Sequence, residues 1–202
     1  MIKRVKILPF LLLVSFQVLP ILIILHYMYD YKGATENSGW IVEKNGDCKF
    51  FTETNHENRV FEWNGDCHDG FIHGYGQLKL FENNIEYYVF EGFLSKGRIE
   101  GYGKLIMLSD GDTYEGNYAN GKAHGLGHFF NDDGDHYEGH FKNGLRSGKG
   151  TYWYGPESKL FKYVGEWEDG KQNGEGTLFY RNGKTVSGHF IDGVLEGDST
   201  LE

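Results

Sequence analysis

Two patterns of apolar residues divide the chain. From Ile7 to Tyr29, 23 residues pass without a Lys, Arg, Asp or Glu. As a helix that stretch is ~34 Å long at ~1.5 Å per residue, enough for a bilayer core of ~30 Å, so it predicts one N-terminal transmembrane helix behind a short segment at 1–6. Pro20 lies inside the span, which membrane helices tolerate better than soluble ones. Further along, the period becomes two. Tyr114, Gly116 and Tyr118 alternate with Glu115 and Asn117, so one side of a strand carries rings and glycine and the other carries polar groups. The strand that follows places Gly125, Gly127 and Phe129 on one face; Gly148, Gly150 and Tyr152, and Gly174, Gly176 and Leu178, read the same way. Asn143-Gly144, Asp169-Gly170 and Asn182-Gly183 supply the positive φ angles of tight hairpins.

This pattern is a repeat. An aromatic, a glycine two residues on, a bulky residue two after that, a glycine three later and then Gly-x-Gly recur from Tyr114, Tyr137 and Tyr163. Looser copies begin at Trp63 and Phe90, and a degraded one at Val186, where Ser199 replaces the final glycine. Successive starts lie 27, 24, 23, 26 and 23 residues apart. A hairpin of that size buries too little to stand alone, so stability must come from its neighbours. These units resemble the MORN repeat family, whose pattern is close to Tyr-x-Gly-x-Trp-x-x-Gly-Lys-x-x-Gly-x-Gly. The resemblance implies an all-β fold over 61–202, an elongated antiparallel meander of about six stacked hairpins. The first unit departs by carrying Cys67 where an aromatic belongs. Residues 45–60 match no full repeat and read as an N-terminal cap of the sheet, with 30–44 as a linker to the helix at 7–29.

Charge and cysteine usage bear on location. Lys3, Arg4 and Lys6 precede the apolar span while only Lys32 follows closely, which predicts a cytoplasmic N-terminus and an extracytoplasmic array, periplasmic in a bacterial cell. Cleavage as a signal peptide, giving a secreted protein, is the alternative, although no good small-x-small site follows the span. Cys48 and Cys67 each end an Asn-Gly-Asp-Cys phrase and would form a disulfide in that compartment; two separate buried thiols are the other reading. Past residue 30 the chain holds 17 basic against 28 acidic residues, a formal −11. Nucleic acid and anionic headgroups are poor partners for such a surface. The 30 glycines and the 16% of Phe, Trp and Tyr fit many short strands.

Candidate chemistry is sparse. There is no P-loop, Gly-x-Ser-x-Gly elbow, His-Glu-x-x-His or Cys-x-x-Cys, so no enzyme, cofactor or metal is expected. His124 with His128, and His136 with His140, are spaced ~13 Å apart on a strand, too far for one metal. Asn131-Asp132-Asp133-Gly134-Asp135 reads as a turn in place of a calcium loop. Glu91, Glu115 and Glu138 share a repeat position and form an acidic ladder without an implied cleft. On the face opposite the glycines, Ile106, Phe130, Trp153 and Phe179 line up as an apolar stripe, the candidate surface for a protein partner. The expected function is a scaffold or interaction module tethered to the membrane. Lipid or glycan binding is the alternative, and pairing of edge strands would allow a homo-oligomer.

Overall fold

The structure, a computed structural model, describes residues 39–44, 46–53 and 58–197. The predicted transmembrane helix at 7–29 lies outside them; among the described residues no helix is long and apolar enough to cross a membrane. Fifteen strands form one sheet: β1 Gly39–Val42, β2 Lys49–Thr52, β3 Arg59–Trp63, β4 Asp66–His68, β5 Phe71–Glu82, β6 Ile85–Ser95, β7 Arg98–Met107, β8 Thr113–Ala119, β9 Lys122–Phe130, β10 His136–Lys142, β11 Leu145–Trp153, β12 Leu160–Glu168, β13 Lys171–Tyr180, β14 Thr185–Ile191 and β15 Val194–Leu195. From β5 onward each strand pairs antiparallel with the next, a meander without crossovers. The turns Asn120-Gly121, Asn143-Gly144, Asp169-Gly170 and Asp192-Gly193 place both residues at positive φ, as two-residue hairpins require. Asn182-Gly183 differs from the sequence reading. It sits in a longer connection closed by Tyr180 N–H to Lys184 O at 2.8 Å, and only Gly183 has positive φ.

Within each hairpin two glycines face each other, Gly116 with Gly127, Gly139 with Gly150 and Gly165 with Gly176. A Cβ on any of the six would collide with the ring of Tyr114, Tyr137 or Tyr163 respectively, so each pair of glycines is a slot holding one ring. The hydroxyl of each ring then donates to a carbonyl three residues ahead: Tyr114 to Asn117 O at 3.0 Å, Tyr137 to His140 O at 3.1 Å and Tyr163 to Glu166 O at 3.1 Å. The strand register shifts just beyond the paired glycines, where Gly125, Gly148 and Gly174 take positive φ. The two glycines of Gly-x-Gly do not both pack under rings. Only the second does; the first makes the bulge, because an L side chain there would be strained.

The rings interlock edge to face from hairpin to hairpin. Tyr114 meets Phe141 at 4.9 Å and 88°, Tyr137 meets Trp167 at 5.2 Å and 80°, and Tyr163 meets Phe190 at 5.1 Å and 81°. Tyr118 joins Phe90 to Tyr114 in the same manner, so one ladder crosses the face from β6 to β14. Both ends are adapted. Trp63 fills the first slot, between Gly65 and Gly76, and its Nε1–H donates to Asp66 O at 2.9 Å. At the last slot Leu195 lies against Gly188 in place of a ring, since Val186 is too short to fill it.

The first hairpin is closed by a cap. Cys67 is bonded to Cys48, and Phe50 meets Phe61 at 5.9 Å. Phe51 N–H donates to Gly97 O at 2.8 Å, and the Arg98 guanidinium lies 3.6 Å from the centre of the Phe51 ring. The 19-residue separation makes the disulfide worth about 3 kcal/mol on the chain-entropy view. Strand β1 begins at Gly39, within the stretch read as linker.

The slot predicts a contrast between two alanine substitutions. Gly150→Ala, which forces a methyl into the Tyr137 ring, should lose about 2–3 kcal/mol in thermal or urea unfolding. Gly121→Ala, at φ +83° with open space around it, should lose only about 1 kcal/mol.

Candidate functional site

The face opposite the ring ladder is the open one, and its side chains fall into rows that cross the strands. One row runs Ile106, Thr113, Phe130, His136, Trp153, Lys162, Phe179, so the predicted stripe is contiguous but alternates with polar positions contributed by the first strand of each hairpin. The polar positions extend the apolar surface. His136 is sandwiched between Phe130, at 5.5 Å and 16°, and Trp153, at 4.4 Å and 11°. Lys162 sets its ammonium 5.0 Å from the centre of the Phe179 ring. The rings stack face to face, so ring edges are what solvent meets; Phe130 is 46% exposed while Ile106, Trp153 and Phe179 are half-buried.

The neighbouring row places Glu91, Lys104, Glu115, His128 and Glu138 side by side. The three glutamates are thus separated by Lys104 and His128, and Lys104 Nζ lies 3.9 Å from Glu115. An opposite-charge cross-strand contact such as that of Lys104 with Glu115 helps a sheet to tolerate such a row. Neither histidine pair forms a cluster: His128 sits opposite Glu115 and Glu138, and His140 opposite Leu126. Among the described residues no three His, Cys, Asp or Glu converge as metal ligands. The acidic segment 131–135 folds as a turn, with Asp135 N–H donating to Asn131 Oδ1 at 2.8 Å and Gly134 at positive φ.

A third row was not singled out in the sequence. Tyr75, Phe93, Tyr102 and Leu126 point to the same open face and are 67%, 40%, 58% and 59% exposed. Tyr75 donates to Glu91 at 3.1 Å and Tyr102 to Glu115 at 2.8 Å, which holds both phenols above their usual pKa. Three of the four occupy the middle of Gly-x-Gly, a position that alternation already places on this face. The signal lies in the residue between two glycines, which alternation turns away from the ring face.

A model of the MORN repeat matches residues 64–80, 90–107, 114–136, 137–158 and 163–185, about half of the chain. The chain belongs to the MORN repeat family. No curated protein matches it. The five matched MORN units are those with an aromatic in or beside the slot; the sixth, from Val186, is the one closed by Leu195 and is not matched. MORN repeats are a non-enzymatic module, used generally for contact with proteins or membranes.

One buried acid stands apart from both faces' patterns. Asp112, 5% exposed, is pushed up to about 6 by burial and then by Asp110, against the pull of the Asp132 backbone N–H. A carboxyl raised in the fold takes up a proton on folding between pH 3.8 and about 6, so its charged form weakens the fold above that window. Asp112→Asn should therefore raise stability at pH 7 by about 1–2 kcal/mol. The gain should vanish as pH falls to about 4, which unfolding curves at both pH values would show.

Proposed function

We propose that this chain is a membrane-tethered MORN scaffold whose open face binds a protein partner. The observation that carries the reading is the Phe130–His136–Trp153 stack, continued by Phe179, on a face that no described segment covers. An apolar row beside a charged row fits the anatomy of a protein interface, with aromatic anchors inside and a polar rim outside. The uncharged stretch at 7–29 serves as the tether, with the N-terminus in the cytoplasm and the array outside it. The Cys48–Cys67 disulfide supports that side, since such bonds persist in oxidising compartments.

A second reading, glycan or lipid contact, is favoured by the exposed Tyr75 and Tyr102 rings with their hydroxyls tied to carboxylates. Flat aromatic side chains beside fixed acceptors suit a neutral sugar better than an anionic headgroup, in view of the formal −9 of the chain.

The protein reading is tested by crosslinking in native membranes. Trp153→Ala with Phe179→Ala should reduce capture of the partner at least about tenfold, as loss of an interface anchor does. Tyr75→Ala with Tyr102→Ala should leave that capture unchanged. The reverse pattern would move the site to the third row.

A further inference from the structure

The ring face carries a cavity of about 220 Å³ between the ladder and the cap. It is lined by Leu105, Tyr114, Phe129 and Phe141 of the ring face and by Phe50 and Phe51 of β2. On a chain of net charge −9 its rim is locally cationic, with Arg59, Arg98, Lys122 and Arg146 against Glu53 and Asp112. Arg59 pairs with Glu82 at 3.4 Å and Lys122 with Glu53 at 3.1 Å. Arg146 makes no salt bridge among the described residues, the Asp135 carboxylate acting on it only from a distance. Its guanidinium sits 4.3 Å from the Trp167 ring centre and 5.1 Å from that of Tyr152, and donates to Gly170 O at 2.6 Å. The position is otherwise Ile99, Ala123 or Gln172 in the neighbouring hairpins, so a cation here departs from the repeat. A guanidinium stacked on rings keeps edge donors matched to a planar carboxylate.

At the other end of the same cavity Tyr118, 5% exposed, has a buried hydroxyl with no hydrogen-bond partner. A buried donor left unmade costs free energy, and such groups are rare. Tyr118 on β8 and Arg146 on β11 are three strands apart, roughly 14 Å at ~4.8 Å per strand. The volume admits a narrow chain and no polypeptide helix, whose width is ~10 Å.

We propose that this cavity binds a medium-chain oxygenated fatty acid, its carboxylate on Arg146, its apolar chain across Phe141 and Tyr114, and its distal oxygen on the Tyr118 hydroxyl. The site lies on the opposite face from the stripe and does not depend on the protein-binding reading.

The experiment uses the full chain in lipid nanodiscs, with 10-hydroxydecanoate, decanoate and 1-decanol as probes. Binding is measured by calorimetry with empty nanodiscs as the blank. Wild type should bind 10-hydroxydecanoate saturably, about tenfold more tightly than decanoate, with 1-decanol weaker again. Tyr118→Phe, an isosteric change, should erase the preference for the hydroxyl while leaving decanoate binding intact. Arg146→Met should weaken both acids at least tenfold with 1-decanol unaffected, and Arg146→Lys should restore part of the loss. Should Arg146→Met fail to fold, Tyr118→Phe and the rise in wild-type Tm with 10-hydroxydecanoate decide the matter. Absence of saturable binding above the blank, or equal affinity of wild type and Tyr118→Phe for the hydroxy acid, overturns the proposal.

Discussion

A glycine facing a glycine across a hairpin leaves an opening one side chain deep, and the ring of Tyr114, Tyr137 or Tyr163 occupies it. That contact orders much else. With the ring laid over its own strand, its hydroxyl meets the carbonyl three residues ahead, beside the place where the register shifts. The shift in turn needs positive φ, supplied by the first glycine of each Gly-x-Gly. A ring held flat also offers its edge to the next hairpin, and the interlocked rings become the main apolar bond between units that would not stand alone. Burial lifts the Tyr163 hydroxyl to about 12, so it remains a neutral donor at ordinary pH.

The same constraint divides the labour of the two faces. Rings and glycines consume the ladder face, which leaves the alternate positions free to vary in function without loss of the slot. They vary along the chain: the middle residue of Gly-x-Gly is Tyr75, Tyr102 and Leu126 in early units and Lys149 and Glu175 in later ones. That row of the open face therefore passes from aromatic to charged while the stripe beside it stays aromatic through Trp153 and Phe179. The ends need separate solutions because a ladder has no neighbour there. A disulfide and the Phe50–Phe61 contact close one, and Leu195 closes the other.

Much of this was legible in the residues. The spacing of Tyr114, Gly116 and Tyr118 names the strands and the ring face, and Ile106, Phe130, Trp153 and Phe179 fall in one row because the repeat carries register with it. What could not be read is what depends on pairing. Gly125 and Gly127 look alike in sequence, yet one bends the backbone and the other makes room for a ring. His136 and Lys162 completed the stripe from the opposite strands of their hairpins, which only cross-strand register reveals. The cavity near Tyr118 and Arg146 required the cap to be placed over the ladder; in residues 45–60 Cys48 ties the cap to the first hairpin through Cys67, but no motif there places Phe50 and Phe51 beside the later rings.

The slot is tested most directly by a double-mutant cycle at one unmodified hairpin, Gly176→Ala with Tyr163→Leu, followed by urea unfolding. If the glycine exists to admit the ring, alanine should be costly beside Tyr163 and nearly free beside leucine, a coupling of about 1–3 kcal/mol. Losses that add within about 0.5 kcal/mol would mean that the paired glycines serve the backbone alone, and that the ring slot does not hold the fold together.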